Sequence, residues 1–141
     1  MNKWIAIAVF SFVMQVVNAQ SVKKTTLVDV DFGWAHNSVN TVVFRKNSLV
    51  TWKDTQFIAF YNEQQFVVIG KRKTGTANWL LQQTDYKGNT ADAHNMISIM
   101  IDGAGYLHLS WDHHNNALNY CKSNRPGSLE MTDKISITGL N

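Results

Sequence analysis

Short apolar runs separated by polar turns cover the chain from residue 48 onward. The runs alternate or are rich in aromatic and β-branched residues, and turn signals return roughly every 8–12 residues, a spacing typical of all-β proteins. No segment shows the helical period, in which apolar residues recur three and four positions apart. The pattern therefore predicts an all-β fold of short antiparallel strands. The runs of the first half are 48–52, 56–61, 66–70 and 79–84.

The second half of the chain repeats the pattern of the first. Its runs come in the same order at an offset of about 50 residues, and Asp102 corresponds to Asp54 before the second strand of each set. Four short strands that recur at a fixed spacing predict the blades of a β-propeller. The alternative is a chance similarity between two antiparallel meanders. The repeated runs are 96–101, 106–111, 117–122 and 128–132.

The number of blades is small for a closed propeller. A propeller closes with about four to eight blades, and this chain has room for about two to three. A lead-in segment or short strand at 27–30 and a short strand at 41–44 precede them, and the final residues, 135–141, resemble the approach to another blade. We therefore expect a truncated, partial propeller. Because isolated blades expose an apolar face and a strand edge, 20–141 expressed alone is expected to be poorly soluble.

The first nineteen residues have the pattern of a secretory signal peptide. A positive charge at Lys3 precedes an apolar run at 4–17, and a small-residue cleavage pattern follows. A membrane anchor is the alternative, but the run is short for a membrane span and contains Gln15. We therefore divide the chain into a signal peptide, 1–19, and a propeller domain, 20–141. The protein is expected to be secreted or periplasmic, without membrane contact after the signal is removed.

Charge, cysteine content and missing motifs exclude several classes of function. The formal net charge of +3 is mild and the basic residues form no stripe, so nucleic acid is not an indicated partner. An acidic polysaccharide is compatible with this charge. The single cysteine, Cys121, excludes an internal disulfide and is predicted to be a buried thiol in a strand. The G-x-S-x-G nucleophile motif and a glycine-rich phosphate loop are absent, and no glycosidase carboxylate pair can be assigned.

Four of the five histidines lie between residues 92 and 120. His94 follows Asp92 in a loop before a predicted strand, whereas His113 and His114 lie in the turn after the next strand. If these two strands pair antiparallel, His94 and His114 come to the same end of one hairpin. His108 alternates with apolar residues inside a strand and is predicted to be structural.

Two neighbouring imidazoles beside carboxylates and amides support several chemistries. A neutral imidazole accepts a proton near neutral pH, and a neighbouring Asp or amide fixes its tautomer. The pair would also bind an anionic carboxylate. A third option is a metal site formed by His94, Asp112, His113 and His114. This spacing matches no zinc signature, so we assign no metal ligand and leave any cofactor open. The simplest alternative is a polar turn with hydrogen-bonded histidines.

Two stretches of the chain resemble a known family. They are GNTADAHNMISIMIDGAGYLHLSWDHHNN at 88–116 and NSVNTVVFRKNSLVTWKDTQFIAFY at 37–61. They look like the N-terminal part of BNR-repeat-containing secreted proteins, a resemblance that covers 33–140. It implies that the chain is part of a seven-bladed β-propeller. The implied relatives are ulvan lyases and glycoside hydrolases that act on α-L-rhamnosyl-glucuronic acid linkages.

Resemblance to the lyases implies β-elimination at a uronic acid, in which a base removes the C5 proton and a cation or polar group neutralises the carboxylate. The family's two histidine motifs match His94 and His114, and we expect neighbouring residues to bind substrate. The tyrosine and arginine that share this work in the family lie beyond residue 141, so this chain is expected to be inactive alone. The implied partner is an acidic polysaccharide of rhamnose and uronic acid. The expected substrate-binding residues are Asn95, His113 and Asn115.

Two other functions stay open. Resemblance to the rhamnosidase branch implies a single catalytic histidine on the opposite face of the propeller, and His36 is the candidate. The alternative for His36 is a loop histidine that bonds to the backbone. The third function is that of a non-catalytic, glycan-binding propeller.

Overall fold

The chain forms two antiparallel β-sheets. The computed structural model describes residues 25–33, 37–41 and 47–135, and these contain no helix, so the predicted all-β fold is confirmed. Nothing in these ranges forms a helix that could span a membrane. The first sheet has the order β1-β2-β3-β4 and the second β5-β6-β7. The strands are β1 Leu49–Trp52, β2 Thr55–Tyr61, β3 Phe66–Lys73, β4 Leu80–Lys87, β5 Ser98–Ile101, β6 Leu107–Trp111 and β7 Asn119–Lys122.

The two sheets share one hydrophobic core. Every second side chain of β2 and β6 is buried, because residues two apart on a strand point to the same face. The buried positions of the two strands are offset by about 50 residues, which confirms the predicted repeat. Cys121 on β7 is buried as predicted, and burial raises the pKa of its thiol to about 12. The buried residues of β2 and β6 are Phe57, Ala59, Tyr61, Leu107, Leu109 and Trp111.

The first strands of the two sheets, β1 and β5, lie side by side. Asn47, just before β1, forms a parallel bridge with Ser98. Its carbonyl accepts a hydrogen bond from the backbone N–H of Ile99 at 2.7 Å, and its side-chain amide donates to the Ile99 carbonyl at 2.9 Å. In a propeller, successive blades surround a common channel and their first strands neighbour one another. This packing is that of two consecutive blades.

The turn between β5 and β6 also joins the sheets. Oδ1 of Asp102 accepts hydrogen bonds from the backbone N–H groups of Ala104 and Tyr106, both at 2.9 Å. Gly105 has φ 92°, and a Cβ at this position would lie 2.6 Å from the ring of Trp52 on β1. Only glycine allows this left-handed backbone so close to an aromatic ring. The β5–β6 turn of the second sheet therefore packs against β1, the edge strand of the first sheet.

The prediction of a strand at 128–132 was wrong. The described residues there form no strand, and only Met131 bridges to Ser123, beside β7. Gly127 turns the chain with φ 68°, and Leu129 enters the core. The segment that follows bonds to β7 only at intervals, for example from the N–H of Thr132 to the Lys122 carbonyl at 2.8 Å. The second sheet consequently has three strands where the first has four.

The segments before β1 match the sequence predictions only in part. Residues 25–33 form a lead-in segment without a strand, one of the two forms predicted for 27–30. Thr41 lies in a turn, and the rest of the predicted strand at 41–44 lies outside the described residues. The predicted signal peptide, 1–19, lies outside them as well.

Leu109→Ala should lower the free energy of unfolding by about 2–5 kcal/mol, because it leaves a cavity in the shared core. Urea denaturation measures this loss. Met100→Ala is the matched control, since Met100 lies on the paired strand with 53% of its surface exposed. A similar loss for both variants would contradict the assignment of the buried face.

Candidate functional site

The loop before β5 is shaped by its own polar side chains. Oδ1 of Asn89 accepts a hydrogen bond from the N–H of Ala91 at 3.1 Å, and Oδ1 of Asp92 accepts one from the N–H of His94 at 2.9 Å. Asn and Asp favour such turns because their side chains bond to the backbone two residues on. The loop is therefore ordered without regular secondary structure.

Tyr61 of the first sheet anchors this loop. The buried Tyr61 hydroxyl donates a hydrogen bond to the Asn95 carbonyl at 2.8 Å. Gly88 passes directly over the Tyr61 ring, where a Cβ would lie 2.5 Å from the hydroxyl oxygen. Asn37 donates from its side chain to the carbonyl of Ala91, so the segment at 37–41 also supports the loop. Burial, followed by the charge of Asp112, raises the pKa of Tyr61 far above its ordinary value, so the hydroxyl remains a donor.

The loop between β6 and β7 is held against the first loop. Asp112 and Asn115 have left-handed backbones, with φ 56° and 57°, a conformation that Asp and Asn tolerate better than most residues. Asn116 accepts a hydrogen bond from the N–H of His114 at 2.7 Å and donates to the Asp112 carbonyl at 2.6 Å. The Asp112 carboxylate accepts from the N–H of Asn89 at 2.8 Å, which ties the two loops together.

These loops bring His94 and His114 together around one carboxylate. The centroids of the two imidazole rings lie 4.6 Å apart, with 45° between the ring planes. Oδ1 of Asp92 lies 2.8 Å from Nδ1 of His94, and Oδ2 forms a short hydrogen bond with Nδ1 of His114. The histidines are 57% and 42% exposed, and Asp92 is 26% exposed. The site is therefore open to solvent on the imidazole side.

Hydrogen bonds keep Asp92 ionised. The bond from His114 is the largest cause, followed by the backbone N–H and the ring of His94, and together they hold the pKa of this carboxyl well below its ordinary range. At neutral pH the site therefore contains a fixed anion between two imidazoles.

The structure replaces the metal-ligand set considered from the sequence. Asp112 is engaged by Asn89, and Nε2 of His113 lies 3.0 Å from the carbonyl of Asn119. Among the described residues, the group that could hold a metal is Asp92, His94 and His114, whose ligand atoms lie within 4.8 Å of one another. In this arrangement both Nδ1 atoms already lie within hydrogen-bond distance of the carboxylate, so a cation bound at the Nδ1 atoms would replace these two hydrogen bonds.

The predicted substrate-binding residues have different surroundings. Asn95 is only 4% exposed, and its side-chain amide donates to the Asn89 carbonyl at 3.3 Å, which gives it a supporting role in the loop. His113 faces its own loop, whereas Asn115 is exposed. Contact of these three residues with substrate stays a prediction. His36 lies outside the described residues.

Sequence reasoning expected a neighbouring Asp or amide to fix the tautomer of an imidazole but did not single out Asp92, and it missed a second polar network. His108 lies in a strand as predicted, with Nδ1 2.7 Å from the Tyr120 hydroxyl and Nε2 3.1 Å from Oδ2 of Asp102. His108 and Tyr120 line a cavity of about 340 Å³ on the second sheet. The alternation of β6 is the signal that places His108 on the face opposite the buried side chains of β6. Since Asp102 also organises the β5–β6 turn, the network has a clear structural role.

The comparisons with known proteins agree with the fold. Residues 55–140 match the model of the BNR repeat-containing family. The solved structure of a PL25 ulvan lyase, from a new family of polysaccharide lyases, is similar with a TM-score of 0.50 and 14% identity, over 63% of this chain and 26% of the lyase chain. This chain thus spans about a quarter of the length of that lyase. The curated proteins gave no match. The predicted family resemblance and the predicted partial propeller are both confirmed.

Tyr61→Phe should lower the free energy of unfolding by about 1–2 kcal/mol, because the Asn95 carbonyl loses its donor. Urea denaturation measures the effect. Tyr106→Phe is the control, since the Tyr106 hydroxyl makes no hydrogen bond within the described residues, and its effect should stay within about 0.5 kcal/mol. Equal losses would show that Tyr61 does not anchor the loop by its hydroxyl.

Acid should destabilise the chain partly through Asp102. The hydrogen bond from His108, then that from the N–H of Tyr106, lower the pKa of this carboxyl below its ordinary value of 3.8. Because the carboxyl has a lower pKa in the folded state than in the unfolded state, it stabilises the folded state at pH values above the unfolded-state pKa. This stabilisation is lost as the pH falls through the folded-state pKa. Urea denaturation from about pH 5 to about pH 2 should therefore show a smaller loss of stability in Asp102→Asn than in the wild type.

Asp54→Asn is the matched control for this experiment. It removes the same charge from the equivalent turn of the first sheet without touching a histidine. Identical pH dependence of the wild type and Asp102→Asn would rule out the contribution of Asp102.

Proposed function

Because the chain belongs to the BNR repeat-containing family, we propose that His94 and His114 form part of a site that cleaves an acidic polysaccharide by β-elimination. The observation that carries the proposal is the pair itself, with two imidazoles 4.6 Å apart at one end of a propeller blade. No described residue hydrogen-bonds to Nε2 of either ring, so both atoms remain able to meet a substrate. The similarity of the fold to an ulvan lyase supports a carbohydrate substrate.

The chemistry of elimination needs groups that this pair supplies. A base must remove the C5 proton of the uronic acid, and an unprotonated Nε2 does this at neutral pH. A positive or hydrogen-bonding group must neutralise the neighbouring carboxylate, and the second imidazole, when protonated, meets that need. Two neighbouring imidazoles can therefore remove the C5 proton and neutralise the carboxylate next to C5 in the same sugar.

A complete site needs further groups. An acid must protonate the leaving oxygen, and the family resemblance assigns part of this work to a tyrosine and an arginine beyond residue 141. We therefore propose that the pair is about half of the active site. Cleavage at rhamnose–uronic acid linkages and a location outside the cytoplasm belong to the same proposal. The ulvan lyase named for the similar structure supports a polysaccharide substrate, and the predicted signal peptide supports the location.

The assay uses a polysaccharide that contains rhamnose and uronate. It is run with this chain and, where the reading frame continues, with the longer protein that the frame encodes. Elimination creates an unsaturated uronate, which is followed by its ultraviolet absorbance. His94→Ala in the active form should lower the rate by about 100-fold or more, because it removes a proton-transfer group. Lys53→Ala, in the turn at the far end of the first sheet, is the control and should keep the wild-type rate.

The products separate the proposal from its alternatives. Free rhamnose without unsaturated product would favour the hydrolase, which depends on His36. Binding without either product, in the longer form, would leave a glycan-binding propeller. Formation of unsaturated product at an unchanged rate in His94→Ala would exclude the role assigned to this histidine.

A further inference from the structure

We propose that Asp92 is a positioning residue, which holds both His94 and His114 in the tautomer with the proton on Nδ1 and leaves both Nε2 atoms unprotonated. The geometry alone supports this assignment, and its importance for catalysis rests on the function proposed above. One carboxylate would thereby leave either Nε2 able to take the C5 proton, and the other able, once protonated, to face the uronate carboxylate.

The direction of the hydrogen bonds follows from the charge of Asp92. An ionised carboxylate only accepts hydrogen bonds, so each Nδ1 that meets it must donate. Oδ1 serves His94 and Oδ2 serves His114, so neither imidazole competes with the other for an oxygen atom. A neutral imidazole carries a single N–H, so donation from Nδ1 leaves Nε2 with a free lone pair.

The other described histidines differ in this respect. His108 uses both ring nitrogens, for Tyr120 and Asp102, and His113 directs its Nε2 to a backbone carbonyl. Of the four histidines in the described part of the chain, only His94 and His114 direct Nδ1 to a carboxylate and have no hydrogen-bond partner for Nε2 among the described residues. The same orientation in two residues twenty positions apart points to a shared role.

The carboxylate that orients them is itself held in place. Oδ1 of Asp92 also accepts the backbone N–H of His94, and the backbone N–H of Asp92 donates to the Asn89 carbonyl at 3.3 Å. The bond between Asn89 and Asp112 then fixes the second loop, which carries His114. The Asp92 carboxylate therefore cannot rotate away without breaking contacts of both loops. If either Nε2 accepts a proton, the resulting imidazolium lies beside this fixed anion.

Nitrogen-15 NMR of the histidine side chains tests the proposal on this chain without any assay of activity. The spectra are recorded above the pH at which imidazoles are protonated and with a chelator, so that no metal ion replaces the Nδ1 protons. Two-bond and three-bond couplings between ring protons and nitrogens distinguish the tautomers. In the wild type, both His94 and His114 should show a protonated Nδ1 and an unprotonated Nε2.

Two variants make the test specific to Asp92. In Asp92→Ala both rings lose their acceptor and should shift toward the Nε2–H tautomer, which is the more common form of free histidine. In Asp92→Asn the single amide oxygen can hold only one ring, so one of the two should shift. His108 is the internal control, because its signals should stay unchanged in every variant that remains folded.

Failure of the role proposed for Asp92 can be distinguished from failure of the proposed β-elimination. An Nε2–H tautomer at either histidine in the wild type, or Nδ1–H retained at both in Asp92→Ala with His108 unchanged, would overturn the role of Asp92. The expected tautomers in a protein that forms no unsaturated product would uphold the role of Asp92 and count against β-elimination instead.

Discussion

The burial of one face of each sheet in a shared core is the constraint on which the rest of the structure depends. Phe57 on the first sheet and Leu107 on the second are both fully buried. Among the described residues, each sheet buries this face against the other sheet and its loops. At the end of this core, the hydroxyl of Tyr61 needs an acceptor, because an unpaired buried polar group is costly. The Asn95 carbonyl supplies it, and Gly88 leaves the space for the ring.

The position of the histidines follows from this packing. Antiparallel pairing of β5 with β6 returns the chain to its starting end, so the loop before β5 and the loop after β6 must be neighbours. The first loop is held by Tyr61 of the other sheet, and the second is held by the first through Asp112. The site is thus built on two loops, of which the first is fixed by the core and the second by the first loop.

Residue type alone does not distinguish the histidines of the proposed site from the structural histidines of this chain. His108 and His113 make hydrogen bonds that stabilise a turn and a loop, and both lie close in sequence to His114. The difference is the environment of the second ring nitrogen. In His94 and His114, the carboxylate of Asp92 takes up Nδ1, and the remaining nitrogen faces the solvent-open side of the loops.

Much of the fold could be predicted because side-chain alternation is a local property of a strand. It indicated β1 to β7, the buried face of β6 and the burial of Cys121. Strand pairing, together with one turn, also predicted that His94 and His114 lie at the same end of a hairpin. The repeat of four short strands at an offset of about 50 residues also predicted the blades of a propeller, and the family resemblance implied the same fold.

The sequence by itself determined the strands, their repeat and the proximity of the two histidines, because periodicity fixes which side chains share a face and an end. Only the tertiary structure decided which acidic residue joins them. Asp112 is closer to His114 in sequence, but its left-handed backbone directs the carboxylate to Asn89, whereas Asp92 reaches His114 from the other loop. Such bonds depend on loop conformation and on contacts between distant residues, which a periodic pattern does not encode.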